Sequence, residues 1–150
     1  MDHVLIRQAT EADLWSIHHL QRKWADENIT YGYMPDDPKQ FRNRIGEYFQ
    51  VAETADDVVG FIGGSVRIAS DMAVVPDGNR YLEIDELYVS APFRCKGIGD
   101  LLVDQLLAQA RQQGARYAVL YSASKDIHAI LRFYERHQFQ SWYVQMFREL

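Results

Sequence analysis

Residues 83–114, EIDELYVSAPFRCKGIGDLLVDQLLAQARQQG, predict a strand, a glycine-rich turn and a helix, in that order. In residues 83–89 two sets of side chains alternate, those at odd and those at even positions, and the last residues are aromatic or β-branched. Both features are typical of a strand, and Pro92 follows its end. Apolar residues at helical spacing indicate the helix, which Gly114 ends. The turn between them holds two glycines and two cations: Gly97, Gly99, Arg94 and Lys96.

This turn predicts an anion-binding site, which we call the cradle. The first N–H groups of a helix have no partner within the helix, and a glycine lets the backbone approach a phosphate closely. The helix terminus and the two cations add positive charge. Leu102 excludes a dinucleotide fingerprint, and Asp100 and Leu101 exclude a nucleoside-triphosphate loop. On six residues alone, a glycine-loosened turn without a ligand is the competing interpretation.

The composition is that of an ordinary globular protein, with 47% hydrophobic and 25% charged residues in a chain of 150. This length predicts one domain, residues 1–150. A net charge of −5 argues against binding to nucleic acid. No apolar run reaches the roughly 18 residues of a membrane helix, and the start lacks the features of a signal peptide, so we expect a cytoplasmic protein without membrane contact. The single cysteine, Cys95, excludes an intrachain disulfide.

The order of strand and helix patterns predicts an α/β fold, a mixed sheet with helices on both faces. The predicted strands cover residues 4–7, 50–53, 58–68, 83–89, 117–121 and 142–147. The predicted helices run from Leu14 to about Asp26, from Pro38 along an apolar stripe of Phe41, Ile45, Tyr48 and Phe49, from the cradle to Gly114, and along Ile127, Ile130, Leu131 and Tyr134.

The cradle resembles the acetyl-CoA-binding motif of the GCN5-related N-acetyltransferase (GNAT) family. That motif is Gln or Arg, two free positions, Gly, one free position, and Gly or Ala, which Arg94, Gly97 and Gly99 match. The order of elements is similar to that of the family over nearly the whole chain, and residues 129–136 followed by Phe139 resemble its final helix. Two positions depart from the pattern: Asp126 and Gln138 stand where asparagine and glycine are usual.

The resemblance implies a site for acetyl-CoA and direct transfer of the acetyl group without an acyl-enzyme. The cradle would hold the diphosphate, the pantetheine arm would pair with the strand before it, and the amide of Val89 would polarise the thioester carbonyl. Tyr134 would be the general acid that protonates the leaving thiolate, although by helical spacing alone it is a core aromatic. The expected cofactor-binding residues are Leu87, Tyr88, Val89, Arg94, Cys95, Lys96, Gly97, Ile98, Gly99, Asp126 and Tyr134.

Two other residue types carry no chemistry in this interpretation. Cys95 lies at a variable position of the motif and is expected to be a bystander, although a thiol at a helix N-terminus beside two cations would ionise readily. The five histidines show no metal-binding spacing: His18 and His19 are adjacent, and His128 and His137 are nine apart. We therefore expect no metal.

A general base is needed because an alkylammonium has a pKa near ~10.4 and is not nucleophilic at neutral pH. Three carboxylates lie on the strand before the cradle, and alternation places Glu83 and Asp85 on one face and Glu86 on the other. The resemblance implies an acid at two of these positions, counted back from the cradle, so Glu83 is the first candidate and Asp85 the second. The competing interpretation is that all three are ordinary solvated or ion-paired residues.

The resemblance also implies that the first two helices and the loop between them bind the acceptor. This region contains Glu27, Tyr31 and Tyr33, which are followed along the chain by Asp36 and Asp37. Carboxylates and aromatic faces suit ammonium groups, so we expect a small cationic amine as the acceptor. The competing interpretation is that the two aspartates only help the second helix to start.

The sequence therefore predicts an acetyl-CoA-dependent N-acetyltransferase that acts on a small amine. The alternative is a noncatalytic acyl-CoA sensor of the same fold. A homodimer is compatible with both functions.

Overall fold

The structure, a computed structural model, describes residues 3–150. The strands are β1 (Leu5–Gln8), β2 (Phe49–Glu53), β3 (Val58–Ile68), β4 (Arg80–Val89) and β5 (Tyr117–Leu120), and the helices are α1 (Leu14–Glu27), α2 (Pro38–Phe41), α3 (Ile98–Gln112) and α4 (Ile127–Arg136). Short 3-10 turns at Glu11–Asp13 and Ala91–Phe93 precede α1 and the cradle.

The strands form one mixed sheet in the order β1-β2-β3-β4-β5. The first four strands pair antiparallel with their neighbours, and β5 pairs parallel to β4. A parallel neighbour requires a crossover connection, which α3 supplies. The predicted fold class, a mixed sheet with helices, is thus confirmed.

Helices cover both faces of this sheet. On the α1 face, Leu14, Ile17 and Leu20 of α1 pack with Phe41 of α2 and with strand residues such as Phe61. On the α3 face, a larger cluster joins α3 and α4 to the strands through Leu82, Ile84, Leu102, Val103, Leu106 and Tyr134. Each fully buried Leu or Phe side chain contributes about 1.5–3 kcal/mol, so the two clusters fix the sheet between its helices.

A β-bulge interrupts β4 beside the cradle. Gly63 pairs with Glu86 and Gly64 with Ile84, so Asp85 is an extra residue without a partner on β3. The bulge shifts the alternation: before it Leu82 and Ile84 pack on the α3 face, and after it Leu87 and Val89 do. Glu86 therefore turns to the α1 face, the same face as Glu83, and the prediction that the two lie on opposite faces is wrong.

Two predicted elements differ from the structure. The second helix begins as predicted, with Asp37 accepting a bond from the Lys39 N–H and Pro38 in the first turn, but it ends at Phe41. The chain then turns at Gly46, whose carbonyl accepts a hydrogen bond from the N–H of Phe49. Phe49 is the first residue of β2.

The strand predicted at residues 142–147 is absent. The apolar side chains on both sides of its alternation are exposed, from 48% for Trp142 to 88% for Met146, and its backbone joins no ladder. Alternation produces a strand only where a sheet face covers one set of side chains.

Candidate active site

β4 and β5 diverge next to the cradle. β5 pairs with β4 only from Tyr81 to Ile84, whereas β3 pairs with it as far as Val89. In the described part of the chain, no strand pairs with the β5-side edge of β4 beyond Ile84. This leaves an opening in the sheet, which we call the wedge, between residues 85–89 and the segment after Leu120.

The backbone of two β4 residues faces the wedge. Ser90 N–H donates to the Val59 carbonyl at 2.8 Å, and residues in an antiparallel ladder alternate between bonded and non-bonded pairs. Tyr88 therefore also bonds to β3, whereas the backbone groups of Leu87 and Val89 point away from β3 and into the wedge. An extended molecule with amide groups can pair with them as a further strand would.

The cradle has the backbone geometry of an anion site. Cys95 and Gly97 adopt left-handed conformations with φ of +59° and +80°, and α3 begins directly afterwards at Ile98. Gly97 is the N-cap and offers no side chain to the first-turn N–H groups. Successive N–H groups in such a turn form an anion-binding concavity. The space beyond Gly97 is open, since a Cβ built there meets no atom within 4 Å.

The two glycines of the motif differ in backbone conformation and in surroundings. Gly97 is needed for its positive φ. Gly99 lies inside α3, and a Cβ there would come within 3.4 Å of the Phe133 ring of α4. A methyl group at position 99 would therefore lie in van der Waals contact with α4, the helix that carries Tyr134.

The side chain of Arg94 turns away from the cradle and is held by α1. Its two terminal nitrogens each donate to a different oxygen of Glu27 at 2.7 Å, and its Nε donates to the Val89 carbonyl at 2.8 Å. The free positive charge of the cradle is that of Lys96, an exposed residue whose Nζ lies 5.5 Å from the Phe93 ring centroid.

Tyr134 lies on α4 within the α3-face cluster, against which Leu87 and Val89 of β4 also pack. Its ring packs edge-on against Phe133 and Phe139. Burial raises the pKa of Tyr134 to about 12. The phenol is therefore protonated at neutral pH and can act only as a proton donor.

The three carboxylates of β4 have different surroundings. Glu83 forms an ion pair with Arg67 at 3.1 Å. Burial, and secondly the charge of Glu83, raises the pKa of Asp85 at the bulge. Burial also raises the pKa of Glu86, whose side chain is 11% exposed, although Arg44 opposes the shift. A raised pKa brings a carboxylate closer to the basicity that an amine deprotonation requires.

Glu86 lies in a polar group on the α1 face that the sequence did not reveal. The amide of Gln21, a fully buried residue of α1, donates to Asp36 at 2.8 Å and to Glu86 at 3.3 Å. Arg44 bridges the same two carboxylates, at 2.6 and 3.2 Å. We call these four residues the acceptor-side group. The sequence did contain an indication that Gln21 is buried, because Gln21 lies at helical spacing from Leu14 and Ile17, on the apolar face of α1.

The predicted acceptor residues divide into two environments. Tyr33 stacks on Trp24 with ring centroids 4.0 Å apart, and its hydroxyl lies 3.4 Å from Glu86, so it borders the acceptor-side group. Burial, and secondly the charge of Glu86, raises the pKa of Tyr33. Tyr31 is exposed, with the Lys125 Nζ 5.3 Å from its ring centroid.

Glu27, the third predicted acceptor residue, has both carboxylate oxygens engaged. Besides Arg94, it accepts a short hydrogen bond from the Tyr88 hydroxyl. Contact with an acceptor would require displacing Arg94, so that role stays a prediction. Asp126, predicted near the cofactor, is the N-cap of α4 and accepts a bond from the Ala129 N–H at 3.1 Å.

Residues 3–150 contain neither a cluster of metal-binding side chains nor a membrane-spanning helix. No group of three His, Cys, Asp or Glu side chains converges there in a way that suits a metal ion. No helix in that range combines the length and hydrophobicity that crossing a membrane requires.

Sequence comparison finds relatives of one kind. The profile of the Acetyltransferase (GNAT) family matches residues 13–139. N-acetyltransferase 8B of Rattus norvegicus is 34% identical over 97 residues, which are 65% of this chain and 41% of that protein. N-acetyltransferase 8 of Rattus norvegicus is 32% identical over 101 residues, 67% of this chain and 43% of that protein. The chain thus spans less than half the length of these curated relatives.

Solved structures share the architecture over the full chain. The aminoglycoside N-acetyltransferase AAC(6')-Iy in complex with CoA has a TM-score of 0.74 at 18% identity, with 99% of this chain and 96% of that chain covered. The ribosomal-protein-alanine N-acetyltransferase from Brucella melitensis has a TM-score of 0.69 at 20% identity, with 98% and 100% covered. At these identities the likeness establishes the fold.

Proposed function

Because the chain belongs to the acetyltransferase (GNAT) family, we propose that it transfers the acetyl group of acetyl-CoA to a primary amine of a small cationic acceptor. The observation that carries this proposal is the wedge, an unpaired strand edge that begins at the bulge and leads to the cradle. It supports one extended ligand with amides along its length and a phosphate at its end, which is the chemistry of CoA.

The cofactor would lie along this path. The diphosphate takes the N–H groups at Gly97 and the start of α3, and Lys96 supplies a charge. The pantetheine amides pair with Leu87 and Val89, whose backbone groups face the wedge. The Val89 N–H would then polarise the thioester carbonyl of the bound cofactor.

Acid and base would approach the thioester from opposite faces of the sheet. Glu86 lies on the α1 face and Tyr134 on the α3 face of the sheet that the wedge opens. Glu86 would accept one proton from the acceptor ammonium, and the neutral amine would then attack the thioester carbonyl. As the carbon–sulfur bond breaks and the amide forms, the nitrogen would lose its second proton to solvent, which balances the proton that Tyr134 gives up. Tyr134 donates its proton to that sulfur.

Among the carboxylates of β4, we place Glu86 first as the base. Glu83, the first candidate by sequence, pairs with Arg67, an arginine that has no second carboxylate partner within residues 3–150. Glu86 instead shares Arg44 with Asp36. Asp85 is the second candidate and shares the raised pKa. Glu86 has a raised pKa, and it also lies beside Tyr33 and Asp36, where an acceptor would enter.

The charge of the acceptor-side group supports a cationic acceptor. Two carboxylates, Asp36 and Glu86, share the single guanidinium of Arg44. An acceptor ammonium restores the balance of charge, and the face of the Tyr33 ring opposite Trp24 would offer a cation–π surface.

The test is CoA release from acetyl-CoA with polyamines, lysine-like amines, neutral amines and acidic amino acids, at low and high salt. We expect the polyamines and lysine-like amines to react fastest and to lose rate as salt rises. A preference for neutral or acidic amines contradicts the acceptor class. Tight CoA binding with no turnover on any amine supports the noncatalytic sensor instead.

A further inference from the structure

The C-terminal end of α1 is joined to the cradle by an ion pair over 67 positions of sequence. Glu27 is the last residue of α1, and Arg94 is the first residue of the cradle motif. The pair is bidentate, with both N–O distances at 2.7 Å, and partly buried, with side chains 24% and 35% exposed. Bidentate Arg–carboxylate pairs are strong and fix geometry as well as charge.

The contacts of this pair extend into both parts of the site. Arg94 Nε donates to the carbonyl of Val89, the residue whose N–H faces the wedge. Glu27 also accepts a bond from Tyr88, whose ring stacks on Trp24 at 5.4 Å, and Trp24 in turn stacks on Tyr33.

The loop between α1 and α2, residues 28–37, begins directly after Glu27, and we call it the acceptor loop. Asn28 has the left-handed φ of +53° that ends α1. The position of the α1 terminus, and with it the start of the loop, is therefore tied to the position of Arg94.

We propose that Glu27 is a positioning residue that couples the CoA cradle to the acceptor loop through Arg94. This inference rests on the proposed function, since it assigns the cradle to CoA and the loop to the acceptor. Glu27 holds the guanidinium so that Nε orients the Val89 peptide and the backbone of the cradle keeps its anion-binding turn. The motif arginine thus acts inside the protein.

The role differs from the acceptor contact that the sequence predicts for Glu27. An acceptor contact changes the KM of the amine and leaves CoA binding unchanged. A positioning role changes the affinity for CoA in the absence of any acceptor, and it changes kcat through Val89.

The experiment compares Glu27→Gln, Arg94→Gln and the double variant by calorimetric titration with CoA and by steady-state kinetics. Glu53→Gln is the matched control, because Glu53 also pairs with an arginine, Arg7 at 2.8 Å, on the far edge of the sheet. We expect each single variant to weaken CoA binding about 10-fold and to lower kcat. The double variant should be no weaker than the singles, because both remove the same interaction.

The control separates positioning from stability. Glu53→Gln should lower the melting temperature less than Glu27→Gln, because Arg7 keeps Asp13 as a partner, and it should leave CoA affinity and kcat unchanged. Affinity and kcat are therefore compared at a temperature at which all the variants are fully folded. Wild-type CoA affinity in Glu27→Gln, or additive losses in the double variant, overturns the inference while the proposed function stands. A wild-type protein that does not bind CoA overturns the proposed function, and the inference with it.

Discussion

Two arginine–carboxylate groups flank β4 and differ in how fully their charge is balanced. At the cradle, one guanidinium serves one carboxylate, with Arg94 donating to both oxygens of Glu27. On the acceptor side, the guanidinium of Arg44 is shared between Asp36 and Glu86. The hydrogen bonds from Arg94 lower the pKa of Glu27, whereas burial raises the pKa of Glu86.

The difference separates a structural ion pair from a reactive one. Hydrogen bonds from Arg94 lower the affinity of Glu27 for a proton, so Glu27 stays ionised and fixes geometry. A buried carboxylate with a share of one cation keeps its affinity for a proton and for another cation. We therefore expect changes at the cradle to weaken CoA binding, with a loss of kcat where they also displace Val89, and changes at Tyr134 and on the acceptor side to lower turnover.

The largest effect is expected from Gly97→Glu at the cradle. The side chain would extend into the open space where the diphosphate would lie, with negative charge, and the residue would have to keep a φ of +80°. CoA affinity should fall by about 100-fold or more, measured by calorimetric titration, because the anion loses its site and meets a like charge.

Gly78→Glu is the matched control for this variant. Gly78 has a φ of +82° and equally open space around it, but it lies in the turn before β4. It should show the same backbone strain and normal CoA affinity. A folded Gly97→Glu variant that binds CoA like the wild type would remove the cradle from the account.

Tyr134→Phe should have the next largest effect, on turnover. The phenol is buried, and its pKa of about 12 keeps it protonated. Loss of the proton donor should lower kcat by roughly 100-fold, while the CoA dissociation constant changes less than threefold. Tyr81→Phe, at a buried β4 tyrosine of another cluster, is the control. Full turnover in Tyr134→Phe would return Tyr134 to the core role that its helical spacing indicates.

The sequence predicted the parts of the site whose signals are local. The cradle follows from six neighbouring residues, and Tyr134 from a helix with strong periodicity and a family resemblance. The Glu27–Arg94 pair joins residues 67 positions apart, so no spacing rule indicates it. The bulge at Asp85 depends on the pairing of β4 with Gly63 and Gly64, and this one extra residue moved Glu86 to the acceptor face.

The errors in the fold have a related cause. Helical spacing continues beyond Phe41, but the chain has to turn at Gly46 to enter β2. The alternation at residues 142–147 is real, yet neither set of its side chains is covered in the structure. The local sequence pattern indicates which secondary structure a segment can form, and tertiary contacts determine whether that structure forms.

A smaller effect is expected from Arg44→Gln, which sharpens the contrast between the two groups. Arg44 lowers the pKa of Glu86 against the effect of burial. Without Arg44 that pKa rises, so the base ionises only at higher pH. The acid limb of the kcat/KM profile should move upward by about one pH unit. Arg42→Gln, at an exposed arginine two residues away, should leave the profile in place. An unmoved limb in Arg44→Gln would show that Arg44 does not influence the base.

The measurement that tests the central claim most directly is the pH dependence of kcat/KM in Glu86→Gln and Glu83→Gln. The claim is that the buried carboxylate with unbalanced charge takes the proton from the amine. We predict that Glu86→Gln loses the acid limb and about 100-fold in rate, whereas Glu83→Gln keeps the wild-type profile. A normal profile in Glu86→Gln together with a lost limb in Glu83→Gln would contradict the account and assign the base to the carboxylate that Arg67 pairs.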